Sequence, residues 1–191
     1  DALLAGMRVR VASNYIAGPA AATILADLGA DVVKIEAPGS GDPYRHFQAT
    51  PGNPACDLDY GWQIDNRGKR GLALDLRKEA GQQVLHRMAA QADVLVVNAP
   101  LKTRARLGLD PERIAALNPR LIYASFTAYG ETGPDAGRIG FDHTASWARS
   151  GLMDTVRPAP DTAPARAATG MGDHVGALSL VSAILAALYR R

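Results

Sequence analysis

Residues 7–36 read MRVRVASNYIAGPAAATILADLGADVVKIE and have the pattern of one β-α-β unit. Apolar residues at 7, 9 and 11 alternate with two arginines, which is the period-two pattern of a strand with one buried face. Pro19 suits the first turn of a helix and Gly29 suits the left-handed residue that ends one, so the apolar run between them predicts a helix. The β-branched residues of DVVKIE, at 31–36, predict a second strand.

The same alternation continues along most of the chain. LALDL at 72–76 predicts a strand, followed by a helix over about 78–91 and a strand DVLVVN at 93–98. The helix PERIAAL at 111–117 has an aspartate cap before it and a proline in its first turn, and LIYASFTA at 121–128 has the composition of a further strand. We therefore predict an α/β fold, with a Rossmann-like, mostly parallel sheet flanked by helices and ligands at the carboxyl ends of its strands.

The bulk composition argues against several kinds of partner and compartment. The chain has 191 residues, enough for one core, and its 21 basic and 19 acidic residues nearly cancel. We therefore expect neither nucleic acid nor a membrane surface as a partner. The single cysteine, Cys56, cannot form an internal disulfide, and the first residues lack the apolar core of a secretory signal, so we expect a cytoplasmic location.

The C-terminal segment predicts one long apolar helix. Residues 175–188 are interrupted by Ser179 and Ser182 and fall short of the ~20 residues that span a bilayer, so we predict a buried helix. No glycine or proline follows to stop it, and we expect the chain to continue beyond residue 191. The segment 129–172, rich in Gly, Pro, Ala and Thr, predicts connecting loops around a short helix at 143–150.

Several common kinds of site do not fit the sequence. GSGDPY, at 39–44, lacks the third glycine of a dinucleotide-binding loop, because Tyr44 stands in its place. The four histidines are scattered and only one cysteine is present, so we predict no metal site. No G-x-S-x-G elbow is present, which argues against a serine hydrolase.

Two basic groups and one aspartate remain as candidates for function. The basic groups are Arg67, Lys69 and Arg70, and Lys102, Arg104 and Arg106; each is either a solvated surface or a phosphate site. Asp173 lies between glycines, in GMGDHVGA, just before the apolar helix. From the residues alone, an N-cap is the favoured role of Asp173.

Five segments together resemble the class III CoA-transferase family, in the family's order. They are AGPAAATILADLGADVVKIEAPGSGDPYR, NRGKRGLALDL, ADVLVVN, RLGLDPERIAALNPRLIYAS and GMGDHVGA. The resemblance runs from about Gly6 to the last residue and implies the fold of the family's large domain. Because family members are about twice as long and form interlocked dimers, residues 1–191 are expected to be the N-terminal, CoA-binding part of that domain. A homodimer, or a second chain that completes the fold, is expected.

The resemblance also implies an activity and a set of site residues. It implies transfer of CoA between an acyl-CoA and a small carboxylic acid without a prosthetic group, with Asp173 as the nucleophile that carries the acyl group and then CoA. Gly170 and Gly172 are candidate oxyanion donors. The matching CoA-binding positions are Ile16, Ala17, Leu74 to Arg77, Asn98 to Pro100 and Arg106, of which Arg106 is the best candidate for a phosphate contact.

The chain also departs from the family pattern. Ala37 and Ala99 stand where the family has a basic and an aromatic residue, which puts the placement or affinity of CoA in doubt. The related 2-methylacyl-CoA racemases carry G-H-D where this chain has GFD, at 140–142, so Phe141 replaces their histidine, and His143 lies two residues later. We therefore prefer a transferase to a racemase, and a CoA-binding part without activity of its own remains a third alternative. Asp142 matches an acidic position that orders some family sites, but it could equally cap a helix, and no catalytic role is assigned to it.

Overall fold

The computed structural model describes residues 2–49 and 53–191, and within them the chain forms one five-stranded parallel sheet. The strands are β1 (Arg8–Ala12), β2 (Asp31–Glu36), β3 (Arg70–Ala73), β4 (Val94–Val97) and β5 (Ile122–Ser125). Their order across the sheet is β3-β2-β1-β4-β5. The predicted α/β class and the parallel sheet flanked by helices are therefore confirmed.

Helices connect the strands and follow the last of them. They are α1 (Ala17–Asp27), α2 (Tyr60–Asn66), α3 (Glu79–Ala89), α4 (Leu101–Arg104), α5 (Pro111–Leu117), α6 (Leu152–Thr155) and α7 (Met171–Arg190). Short 3-10 turns at Pro43–Ala49 and Ala105–Leu107 and a π-helical turn at His143–Ala148 complete the described elements.

The predicted β1-α1-β2 unit forms with small changes at its boundaries. α1 begins at Ala17, two residues earlier than predicted, and Pro19 still lies in the first turn, where the missing N–H is not needed. Gly29 has φ +99°, and the N–H of Ala30 donates to the carbonyl of Leu25 at 3.0 Å, which is the glycine-terminated helix end that the sequence predicts. β3 was predicted at 72–76 but spans Arg70–Ala73, so its pairing starts two residues earlier.

Two apolar layers cover the two faces of the sheet. α1 and α7 pack on one face, around Val9, Val11 and Val96, whereas α3 and α5 pack on the other, around Leu95 and Val97. All four residues of β4 are buried, as expected for a strand covered on both faces. The carboxyl ends of β1 and β4 lie side by side where the strand order reverses, and this edge of the sheet positions the site.

α7 is longer and less covered than the sequence predicts. It has 20 residues and is by length and composition alone enough to cross a membrane, because it extends beyond the apolar stretch 175–188 at both ends. One face packs on α1 through Ala177, Val181 and Ile184. On the opposite face Val175 and Leu178 are 66% and 58% exposed, so the prediction of a buried helix holds for one face only.

Candidate active site

A cleft of about 800 Å³ lies at the carboxyl ends of the parallel strands. Its walls are the loops that follow β1, β2, β3, β4 and β5, together with the first turns of α7. Parallel sheets place ligands at this edge, because the loops diverge where the strand order reverses. The cleft is therefore where the sequence led us to expect a ligand.

Most of the predicted site residues line this cleft. They are Ile16, Ala17, Leu74, Arg77, Asn98 and Asp173. Arg106 does not line it in the described part of the chain; it lies exposed on the 3-10 turn beside Leu107, which does. A phosphate contact by Arg106 therefore stays a prediction.

Two of these side chains already have partners inside the protein. Asn98 accepts from the backbone N–H of Asn14 at 3.0 Å and donates to the Asn14 carbonyl at 2.7 Å, which ties the loop after β4 to the loop after β1. Arg77 pairs with Asp75 at 2.8 Å but is 76% exposed, so its guanidinium remains accessible to an anion. We infer that Asn98 shapes the cleft more than it offers hydrogen bonds to a ligand.

Asp173 lies at the third position of α7 and is not its N-cap, so the interpretation favoured from the residues alone was wrong. The N-cap is Gly170, with φ +84°, and within the described residues the Asp173 carboxylate has no hydrogen-bond or ion-pair partner. Burial, followed by repulsion from Asp142, raises its pKa from the ordinary 3.8 to about 6. A carboxylate in the first turn of a helix, facing a cleft without a partner, is available to react.

Asp142 fixes the start of α7 from outside the helix. It is only 7% exposed, and its two oxygens accept from the backbone N–H of Gly170 at 2.9 Å and of His143 at 2.8 Å. Because the Gly170 N–H is occupied in this way, Gly170 is a poor oxyanion donor, contrary to expectation. Gly172 stays a candidate, since it lies in the first turn, where N–H groups have no acceptor within the helix.

His143 is turned away from the cleft, as the sequence suggested. Its Nδ1 lies 2.9 Å from Asp142 Oδ1 and its Nε2 lies 3.2 Å from the carbonyl of Ala167. Phe141 lines the cleft in its place and packs edge-on against Tyr15, with 5.6 Å between ring centroids. No histidine is among the described walls of the cleft.

The first basic group and Arg104 are engaged in structural contacts, whereas Lys102 and Arg106 are exposed, so a phosphate contact within the second group stays a prediction. Lys69 donates to the carbonyls of Pro19 and Asp65 and to Asn66, at 2.7, 2.6 and 3.0 Å, and burial lowers its pKa to about 7. Arg67 pairs with Asp27 and Arg70 with Asp31, while Arg104 is 2% exposed and donates to Ala99, Glu131 and Ser125.

A buried ion pair that the sequence analysis missed supports the first loop of the cleft. Lys34 Nζ lies 2.7 Å from Asp42 Oδ2, and both side chains are at most 2% exposed. Asp42 Oδ1 also accepts from the N–H of Tyr15, whose φ of +64° makes it the only non-glycine residue with positive φ in the described ranges. The sequence feature that could have indicated this ion pair is the lysine in the middle of the otherwise mostly apolar strand DVVKIE, because a buried lysine needs a partner.

A second missed contact joins α7 to α2. His174 Nε2 lies 2.9 Å from Asp65 Oδ1, and its Nδ1 lies 2.8 Å from the carbonyl of Gly170. Nothing in the sequence indicates this pairing, because 109 positions separate the two residues. Across the described residues, no group of three or more His, Cys, Asp or Glu side chains could hold a metal ion.

Comparison with known proteins identifies the family of the chain. Residues 4–191 match CoA-transferase family III. A cinnamoyl-CoA:phenyllactate CoA-transferase from Clostridium sporogenes is 38% identical over 98% of this chain and 45% of its own length. A succinate–glutarate CoA-transferase from Agrobacterium fabrum is 38% identical over 97% of this chain and 46% of its own length. The alpha subunit of a succinyl-CoA–L-malate CoA-transferase from Chloroflexus aurantiacus is 35% identical over 97% of this chain and 42% of its own length.

Solved structures agree with the sequence relatives. A CaiB/BaiF family protein from Brucella suis superposes with a TM-score of 0.87 at 38% identity, covering 98% of this chain and 49% of that one. The chain belongs to CoA-transferase family III, and it spans about half the length of the curated relatives it matches.

Proposed function

We propose that the complete protein transfers CoA between an acyl-CoA and a carboxylic acid, with Asp173 as the covalent nucleophile. The observation that carries the proposal is the Asp173 carboxylate, which faces the cleft without a partner and has a pKa raised by burial to about 6. At neutral pH such a group is still mostly ionised, and it is more basic than an ordinary aspartate. Both properties suit a nucleophile that works near pH 7.

The reaction proceeds by exchange at carbonyl carbons and consumes no net proton. An oxygen of Asp173 bonds to the thioester carbonyl carbon, the C–S bond breaks, and CoA leaves as the thiolate. The thiolate then attacks the aspartyl carbonyl of the anhydride, which releases the donor acid as a carboxylate and leaves an aspartyl-CoA thioester. The acceptor carboxylate attacks the aspartyl carbonyl of that thioester, and the C–S bond breaks to give a second anhydride and CoA thiolate. The thiolate then attacks the acceptor's carbonyl carbon, which forms the acceptor's CoA thioester and releases Asp173 as a carboxylate.

The first turn of α7 favours these steps electrostatically. The N-terminal end of a 20-residue helix carries a partial positive charge, which stabilises negative charge that develops beside Asp173. The N–H of Gly172 is the candidate donor to the tetrahedral oxyanions. For CoA, the resemblance implies Ile16 and Ala17 against the adenine end, Leu74 to Arg77 beside it, and Asn98 to Pro100 with Arg106 near the phosphates.

We also propose that the uncovered face of α7 is buried in the complete assembly. Val175, which lines the cleft, and Leu178 are both more than half exposed. A homodimer, or a second chain that completes the fold, would cover them, and one relative is itself an alpha subunit.

The test is to trap the intermediate on the complete protein. The protein is mixed with cinnamoyl-CoA or succinyl-CoA, quenched with hydroxylamine and analysed by peptide mass spectrometry. We expect a hydroxamate on the peptide that contains Asp173, its absence in Asp173→Asn, and its persistence in Asp135→Asn, which removes another carboxylate on an exposed turn. Binding of CoA without any adduct, across a range of acyl-CoAs, would refute the proposed activity.

A further inference from the structure

His174 follows the nucleophile in the chain but points to a different part of the protein. Its ring spans the gap between α7 and the end of α2, with Asp65 on one side at 2.9 Å and the carbonyl of Gly170 on the other at 2.8 Å. Asp65 is 2% exposed, whereas His174 is 47% exposed. The mechanism above does not use either residue.

The hydrogen-bonding partners determine where the protons lie. A carbonyl oxygen can only accept, so Nδ1 of His174 must carry a proton to bond Gly170. An ionised carboxylate also only accepts, so Nε2 must carry a second proton to bond Asp65. Lys69 Nζ, 2.6 Å from the Asp65 carbonyl, places a second basic group beside the same residue. The geometry therefore corresponds to an imidazolium at His174.

We propose that His174 is a positioning residue for Asp173: as an imidazolium held by Asp65 and Gly170, it fixes the first turn of α7 and supplies the positive charge that keeps the neighbouring Asp173 carboxylate ionised. The inference rests on the proposed role of Asp173 as the nucleophile. It assigns His174 no contact with the substrate.

The charges around Asp173 explain why a cation is needed there. Burial disfavours its negative charge most, and Asp142, just before the π-helical turn, and Asp65, on α2, both repel it. His174 and His143 oppose them and lower the pKa of Asp173. His143 Nδ1 lies 2.9 Å from Asp142 Oδ1, so a proton on His143 would mainly offset the Asp142 carboxylate. His174 is therefore the main group that counters the repulsion.

The test is the pH dependence of adduct formation at Asp173 in the complete protein. The rate in the wild type is expected to rise with pH through an acid limb near pH 6, as Asp173 ionises. In His174→Gln, which removes the charge, we expect the limb to move to higher pH by about 0.5 to 1 unit. At pH 5.5 this shift lowers the rate about three- to eightfold. An unchanged limb in this variant would overturn the inference.

Two further variants separate charge from structure. His174→Lys restores a positive charge without the ring, and we expect its limb to lie closer to that of the wild type than the limb of His174→Gln does. An equal shift in both variants would mean that the ring acts only structurally and would refute the electrostatic role. His86→Gln, on α3 at the other face of the sheet, changes a histidine that bonds the Gly108 carbonyl and is expected to leave the limb unchanged.

The outcomes also distinguish this inference from the proposed function. If the wild type forms no adduct at Asp173, the nucleophile itself is wrong. If the wild type forms the adduct and His174→Gln has the same limb, only the role of His174 fails. Circular dichroism of each variant checks that a loss of rate is not a loss of fold.

Discussion

Asp173 should make the folded protein less stable at neutral pH, and replacing it by asparagine should show this. Burial and Asp142 raise its pKa from 3.8 to about 6, so the folded state disfavours the carboxylate that the unfolded chain carries freely. A difference of this size corresponds to roughly 3 kcal/mol at most. Because the side chain is partly exposed, solvent screening reduces the expected effect to about 1–2 kcal/mol.

The pH dependence gives the sign of the effect. A carboxyl group with a raised folded-state pKa contributes stability that is fully present below pH 3.8 and is lost as the pH rises through about 6. Asp173→Asn should therefore be more stable than the wild type at pH 7.5, by about 1–2 kcal/mol in urea denaturation, with the gap narrowing towards pH 4.5. Because the carboxylate has no partner in the described structure, the amide loses no hydrogen bond.

A matched aspartate with the opposite environment is the control. Burial disfavours the charge of Asp93, but its bonds from the backbone N–H of Arg8 and from Arg191 outweigh burial and hold its pKa below the ordinary value. Asp93→Asn should therefore lower stability at pH 7.5. A loss of stability in Asp173→Asn, or a gain that does not change with pH, would refute the reasoning.

Two more predictions concern buried charge. Lys34→Met leaves the Asp42 carboxylate buried without its cation and should cost about 3–5 kcal/mol in urea denaturation. In the double variant Lys34→Met/Asp42→Asn, the amide keeps an oxygen that accepts from the Tyr15 N–H, so the loss of stability should be at least ~1 kcal/mol smaller than in Lys34→Met alone. Losses that simply add would contradict the pairing of Lys34 with Asp42. Arg104→Gln should cost about 2–4 kcal/mol, because three partners lose their donor, whereas Arg106→Gln should change stability by less than ~0.5 kcal/mol and weaken CoA binding several-fold by calorimetry. Equal loss of stability in the two arginine variants would refute this division.

Local patterns were enough to predict the sheet. The alternation in RVRVA, the proline and glycine that bracket α1, and the Asp110–Pro111 start of α5 each fix a structure within a few residues of the chain. The N-cap predicted at Asp173 failed for a related reason. A glycine three positions earlier ends the loop with a left-handed turn, and the glycines around Asp173 do not tell which of them precedes the helix.

Contacts between distant segments could not be predicted in the same way. The basic residues of NRGKR look like an exposed anion site in sequence. In the fold, however, Lys69 donates to carbonyls of α1 and α2, which the sequence does not place near it. The pairing of His174 with Asp65 depends on the packing of α7 near α2. The residues that line the cleft were predicted by resemblance, because lining a pocket leaves no periodic pattern in the chain.

The reciprocal hydrogen bonds between Asn14 and Asn98 tie together the loops that follow β1 and β4, which are neighbouring strands of the sheet. Asn14 lies in the loop after β1, which is the inner strand of the β3-β2-β1 half of the sheet, and Asn98 begins the loop after β4, which is the inner strand of the β4-β5 half. Because these hydrogen bonds join the two loops, they help to set the width of the cleft in the absence of a ligand. We expect this tie to reduce the free energy that a ligand must supply to order the two loops.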